Sequence, residues 1–151
     1  MKRFLALVFF SLGLVNAFGS TYTIDGAFEG CEHGKIYPLR GGGVLECREY
    51  HYFYEYSPEV RTDGREVITI GSEKISGVIL DGSVRRTKVS DTFEGCDYDK
   101  RIEFDNGLVF VCQSYGYAYA YRPDVLIVNI SGRTPEIYIK GKKYNGTLYR
   151  K

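Results

Sequence analysis

The chain has 151 residues, with 20 basic and 19 acidic side chains and a formal net charge of +1. A balance this close to neutral gives no electrostatic argument for a nucleic acid or an anionic membrane surface as the partner. Tyrosine is abundant at 14 residues, glycine numbers 18 and tryptophan is absent, a profile that favours strands and tight turns over helices.

Residues 1–17 have the pattern of a secretory signal peptide. Two basic residues follow the initiator methionine, an apolar run comes next, and Val15 and Ala17 are small residues suited to a cleavage site. The apolar run is shorter than the roughly 20 residues that span a bilayer, and the first cysteine, Cys31, is too distant for a lipoprotein anchor. We therefore expect an exported protein, periplasmic or secreted, with no transmembrane segment in the mature chain.

The chain carries an internal duplication. Residues 28–60 align without a gap onto residues 93–125 at an offset of 65, and 14 of the 33 aligned pairs are identical. Such a match predicts two copies of one structural unit. The alignment resumes further on at an offset of 69, so the second copy holds four extra residues, which we place within residues 126–132.

The duplication divides the mature chain into a β module at residues 18–80, a linker at 81–90 and a second β module at 91–151. The linker contains a small basic cluster, Arg85, Arg86 and Lys88, which we interpret as solvated.

Each copy contains about five strand-like runs, and no stretch shows the 3.6-residue period of a helix. A first strand leads into the Phe-Glu-Gly-Cys motif. Turn signals rich in glycine follow the second strand and also lie between the two strands of a closing hairpin. The remaining strands are expected at residues 35–39, 44–56, 67–70 and 74–80, and in the second copy at 100–104, 108–121, 137–140 and 143–149.

These runs predict an all-β protein made of two tandem modules, each a small barrel analogous to an SH3 domain. The alternative is a single β-sandwich or barrel in which a pseudo-twofold axis relates the copies.

Each copy has two cysteines separated by 16 positions, Cys31 and Cys47 in the first, Cys96 and Cys112 in the second. Four cysteines allow three disulfide connectivities. The duplication favours Cys31–Cys47 and Cys96–Cys112, because one ancestral unit could have formed that bond alone. Metal binding is not expected, since the spacing lacks the short clusters of zinc sites. Each bond would stabilise a small module by about 3 kcal/mol.

Four tyrosines alternate along the third strand of each copy, which places them on one face of that strand. They are candidates for ligand contact, since aromatic rings stack on sugars or hold peptides. The opposite face of the first copy, which includes Glu49, His51 and Glu55, is mostly polar and favours tyrosines that face inward instead. The tyrosines are Tyr50, Tyr52, Tyr54, Tyr56, Tyr115, Tyr117, Tyr119 and Tyr121.

Inward tyrosines raise a problem of parity. Cys47 and Tyr50 are three residues apart, so a regular strand would place them on opposite faces. We therefore predict a β-bulge near Arg48 and Glu49.

No catalytic residues are predicted. The two histidines, His33 and His51, align with Tyr98 and Gly116, and no nucleophile–base pair or nucleotide-binding motif occurs. Cofactors and metals are not expected.

These features predict a non-catalytic exported protein whose tandem modules bind a glycan or protein of the cell envelope or the extracellular space. One alternative is a small secreted hydrolase that uses the His33 region. Another is an inhibitor or structural protein that binds another protein through a sheet edge. The copies differ most in the loops at residues 32–35 and 97–100 and in the insertion, where function is most expected. Asn129 and Asn145 match the N-glycosylation pattern, which matters only in a eukaryotic secretory pathway.

Overall fold

The computed structural model describes residues 19–151, and the predicted signal peptide lies outside them. This part of the chain folds into strands without helices, which confirms the all-β prediction. None of its elements is a helix long and apolar enough to cross a membrane. The strands are β1 (Ser20–Thr23), β2 (Ala27–Cys31), β3 (Ile36–Pro38), β4 (Val44–Cys47), β5 (His51–Tyr56), β6 (Glu59–Thr62), β7 (Val67–Ile70), β8 (Glu73–Leu80), β9 (Gly82–Lys88), β10 (Thr92–Phe93), β11 (Arg101–Glu103), β12 (Leu108–Cys112), β13 (Ala120–Tyr121), β14 (Asp124–Ile130), β15 (Glu136–Ile139), β16 (Lys142–Tyr144) and β17 (Gly146–Arg150).

In the first half of the protein, residues 19–81, six antiparallel strands form a sheet in the order β1-β6-β7-β8-β4-β3, and β2 pairs separately with β5. Because β1 leads into β2 and β4 leads into β5, these pairings curl the sheet into a half-barrel. Its concave side holds the core of the half.

In the second half, residues 82–151, the sheets have the orders β16-β15-β14-β9, β11-β12-β17 and β10-β13. The pairings of the two halves correspond at the offsets of the sequence alignment. Ser20 is opposite Thr62, for example, and 65 residues later Arg85 is opposite Ile127. The two halves therefore share one scheme of strand pairing.

The segment that the sequence suggests is a linker is instead a strand. All seven residues of β9 pair with β14, and Val84 packs against the core between the halves. Two of its three basic residues are engaged: Arg86 Nη2 lies 3.1 Å from the Asp25 carboxylate and Lys88 Nζ lies 2.6 Å from Asp124. The prediction of a linker rested on the charges of this segment and did not take into account the hydrogen-bonded pairing of β9 with β14.

The long third strand is two strands. Between β4 and β5 the chain leaves one sheet and joins another at residues 48–50. The parity problem does not arise, because Cys47 is buried and Tyr50 is exposed. The bulge predicted near Arg48 and Glu49 is wrong in position, because the register shift falls in β2 between Glu29 and Cys31.

Gly30 occupies the bulge with a φ of 80°, a conformation that favours glycine. The Tyr37 hydroxyl donates to the Gly30 carbonyl and accepts a hydrogen bond of 3.1 Å from the Glu29 backbone N–H. Both peptide groups at the bulge are thereby satisfied.

Each half has its own apolar core, and each core contains a disulfide. The bonds are Cys31–Cys47 and Cys96–Cys112, the pairing favoured by the sequence, with Cα atoms 5.5 and 5.6 Å apart. No cysteine in the described chain is free. A covalent bond thus closes each small core from within.

A third cluster of buried residues joins the halves. Ile36 and Val44, on the outer face of β3 and β4, pack with Val128, Ile130 and Tyr138 on the outer face of β14 and β15. Strand β14 is three residues longer than β6, and the added residues 128–130 supply two of these contacts. The insertion predicted from the alignment therefore extends a strand and builds the contact between the halves.

A buried carboxylate lies at the same contact. The Glu46 side chain, 8 % exposed, is 2.6 Å from Arg133 Nη1 of the second half and 3.0 Å from Arg48 Nη2 of its own half. The faces that meet are not equivalent in the alignment, so the alternative of a pseudo-twofold arrangement does not describe this packing.

Candidate binding surface

The alternating tyrosines of both halves point into solvent. The prediction that they face inward is wrong, because their residues are between 64 % and 77 % exposed. We call Tyr50, Tyr52, Tyr54 and Tyr56 the first ladder, and Tyr115, Tyr117, Tyr119 and Tyr121 the second ladder.

The opposite face of the first ladder explains the orientation. Phe53 points inward, and its ring centroid is 4.7 Å from that of the buried Phe28. His51 packs edge-on against Phe53, and its Nε2 lies 3.3 Å from the Glu73 carboxylate. The polar residues of this face are thus accommodated at the rim of the core, which leaves the tyrosines outside.

In the second half, small residues replace the inward side chains, and a tyrosine from another strand fills the space. A Cβ added to Gly116 would lie 2.9 Å from the Tyr144 ring. The Tyr144 ring is buried and packs edge-on against Phe93 at a centroid distance of 5.3 Å. Burial raises the pKa of the Tyr144 phenol, whose hydroxyl has no hydrogen-bond partner in the described chain.

The neighbouring strand β2 determines which residues lie beside the first ladder. In the antiparallel pair of β2 and β5, Ala27 is opposite Tyr56 and Glu29 is opposite Tyr54. Opposed residues share a face, so the Glu29 carboxylate stands beside the rings. Alternate residues of a strand are separated by about 6.7 Å, so Tyr52, Tyr54 and Tyr56, which lie in β5, extend over about 13 Å. The result is a row of exposed phenol rings.

A cleft of about 480 Å³ opens between the halves, where the loop after β2 faces the turn between β15 and β16. Four lysines and two carboxylates are among the residues that line it: Glu29, Glu32, His33, Gly34, Lys35, Tyr138, Lys140, Gly141, Lys142 and Lys143.

Two of the lysines in the cleft rest on aromatic rings. Lys35 Nζ lies 5.2 Å from the Tyr37 ring centroid, and Lys142 Nζ lies 5.6 Å from that of Tyr144. Lys143 forms a 3.0 Å ion pair with Glu136. Burial pushes the pKa of the Glu136 carboxyl up, but the hydrogen bonds from Tyr138 and Lys143 and the charges of Lys143 and Arg133 outweigh it, so the pKa is lowered overall.

The histidines do not form one site. His33 is exposed and lines the cleft, whereas His51 lies beneath the first ladder with Glu73. Among residues 19–151 no group of three or more histidine, cysteine or acidic side chains is placed to hold a metal ion. Of the two candidate glycosylation residues, Asn129 is half-buried within β14 and Asn145 is exposed.

The lysine side of the cleft was not foreseen from the sequence. Lys140, Lys142 and Lys143 form a short basic run, Lys-Gly-Lys-Lys, at a hairpin turn. The run itself is visible in the sequence, but its position opposite Lys35 depends on the packing between the halves.

Comparison with known proteins adds no relative. Neither protein-family models, curated proteins nor solved structures show a match to the chain.

Proposed function

We propose that the protein is an exported, non-catalytic glycan-binding protein, built from two copies of one β module, whose tyrosine ladders bind extended sugar chains of the cell envelope or the extracellular space. The carrying observation is the exposure of all eight ladder tyrosines, on corresponding positions of both halves. The shared pairing scheme supports the duplication, and the signal-like N-terminus and two disulfides support export.

The chemistry of the surface favours a sugar over a protein partner. Phenol rings present an apolar face to the C–H groups of a sugar and a hydroxyl that exchanges hydrogen bonds with its polar groups. Apart from Val67, the large exposed hydrophobic residues of the described chain are all tyrosines. Of the aromatic residues and methionine that are enriched in protein interfaces, the surface of residues 19–151 therefore exposes tyrosine alone.

The proposal is tested by titration calorimetry of the mature protein with neutral hexasaccharides of glucose, N-acetylglucosamine, xylose and galactose. Replacing two rings of one ladder, Tyr52→Ala with Tyr54→Ala, should weaken binding about tenfold. The pair Tyr117→Ala with Tyr119→Ala should act similarly in the second ladder.

Tyr98→Ala and Tyr149→Ala are matched controls, because these tyrosines are also exposed but lie outside the ladders. They should leave the affinity unchanged. Absence of binding to every sugar, or equal loss in the controls, would refute the proposal. Release of new reducing ends from the hexasaccharides would show a hydrolase instead.

A further inference from the structure

The cleft between the halves concentrates unpaired positive charge. Most arginines of the described chain lie within 4 Å of a carboxylate, as do Lys88, Lys143 and Lys151. Three lysines of the cleft have no carboxylate within that distance among residues 19–151: Lys35, Lys140 and Lys142. These amines are available to a ligand.

The amines of Lys35 and Lys142 are held in place. Each rests over a tyrosine ring, and Lys35 Nζ also donates to the Glu29 carbonyl oxygen at 3.2 Å. Ordering a lysine on an aromatic face before binding reduces the entropy that a ligand would otherwise cost. Aromatic rings thus position two of the cleft's lysines, and the Lys142 amine lies 3.8 Å from the Cβ position of Gly116, at the edge of the second half.

The carboxylates of Glu29 and Glu32 also line the cleft. Glu29 is opposite Tyr54 of the first ladder, so one wall of the cleft continues onto the ladder face. Neither Glu29 nor Glu32 forms an ion pair with the lysines among the described residues. They leave a basic excess on the opposite wall, where Lys140 and Lys142 lie.

We propose that this cleft binds the acidic groups of the glycan, and that the protein therefore selects sugar chains with carboxylate or sulfate substituents. The inference rests on the proposed function, because it requires that a sugar chain bound on the first ladder continues past Glu29 into the cleft. The ladder supplies affinity that is independent of charge, and the lysines supply the preference for acidic chains.

The test compares a hexamer of galacturonic acid, its neutral galactose counterpart and a sulfated heparin hexasaccharide by titration calorimetry. The wild-type protein should bind an acidic chain more tightly than the neutral one, with a preference that falls as salt is raised. Comparison of the two acidic probes tells whether carboxylate or sulfate is preferred. The triple variant Lys35→Gln, Lys140→Gln, Lys142→Gln should bind acidic chains about tenfold more weakly and neutral chains as before.

Lys74→Gln with Lys100→Gln is the matched control, because these two lysines also lack a carboxylate within 4 Å in the described chain and do not line the cleft. Its preference should equal that of the wild type. Equal affinity for neutral and acidic chains would overturn the inference while the proposed function stands. Loss of acidic binding in the control as large as in the triple variant would also overturn it. If the ladder variants bind every sugar as the wild type does, the proposed function fails separately.

Discussion

Single side chains show how the two halves fill their cores differently. The position aligned with Tyr144 in the first half is Ile75, and the position aligned with Gly116 is His51. The second half thus has no side chain where the first half has His51, and it has a larger ring where the first half has Ile75. The exchange fills the core but buries a phenol hydroxyl without a partner.

Tyr144→Phe should therefore stabilise the protein. Removing a buried hydroxyl that makes no hydrogen bond keeps the ring packing and relieves a desolvation cost of about 1 kcal/mol. Urea unfolding at pH 7 followed by circular dichroism measures the change. Tyr149→Phe is the control, since this hydroxyl lies on an exposed residue, and it should be neutral.

The same variant should change the response to alkali. Because the pKa of this phenol is higher in the folded state than its value of about 10 in the unfolded chain, the unfolded chain loses its proton first and stability falls as the pH rises above that value. The wild type should thus lose stability above pH 10 more steeply than Tyr144→Phe does. Equal slopes, or a destabilised variant at pH 7, would contradict this account of Tyr144.

At the scale of elements, the sequence shows which residues alternate along a strand, but it does not show which of the two faces is buried. The alternating tyrosines do lie on one face, and Val67–Ile70 is a strand as predicted. The inward face was misjudged because the polar residues opposite the first ladder include His51, which the rim of the core accommodates through Glu73. Burial of a face depends on what packs beneath it, which a single strand does not reveal.

The break between β4 and β5 and the bulge of β2 escaped prediction for a related reason. The break arises where the chain leaves one sheet and joins another, and the bulge arises where β2 shifts its register against β5, so pairing partners decide both positions. Gly30 is the visible signal of the bulge, since its motif recurs as Gly95, which also has a positive φ.

Gly30→Ala should be costly, because a Cβ there would be strained by the positive φ and would lie 2.9 Å from the His51 carbonyl oxygen. We expect a loss of about 3 kcal/mol in urea unfolding. Gly107→Ala is the matched control: its φ is also 80° but nothing lies within 4 Å of its Cβ position, so about 1 kcal/mol is expected. Equal losses would mean that crowding at the bulge is unimportant.

At the scale of the whole molecule, the class of fold and the disulfide pairing could be predicted, and the contact between the halves could not. Cysteine spacing and strand patterns are local or repeat at a fixed offset. The contact instead uses residues on the outer faces of the strands, such as Val44. In the sequence these do not differ from other strand residues, because their partners are not known. The cleft could not be predicted for the same reason, since it exists only where the halves meet.

Glu46 gives a direct test of that contact. Glu46→Ala removes the shared partner of Arg133 and Arg48 at a mostly buried position, so we expect a loss of about 3 kcal/mol in urea unfolding. Glu103→Ala is the control, because its ion pair with Lys151 is exposed and should cost less than about 1 kcal/mol. A loss no larger than in the control would show that this carboxylate does not hold the halves together.

The contact between unlike faces also limits the size of the assembly. A head-to-tail contact can add units without end and grow into a filament when both complementary faces remain open. Here the unused counterparts are charged: Arg101 stands where the first half has Ile36, and Arg61 stands where the second half has Leu126. Both residues are exposed, so each end of the pair offers charge where a further unit would need an apolar surface. A third unit would therefore meet a charged side chain, Arg61 or Arg101, where the contact between the halves has an apolar one.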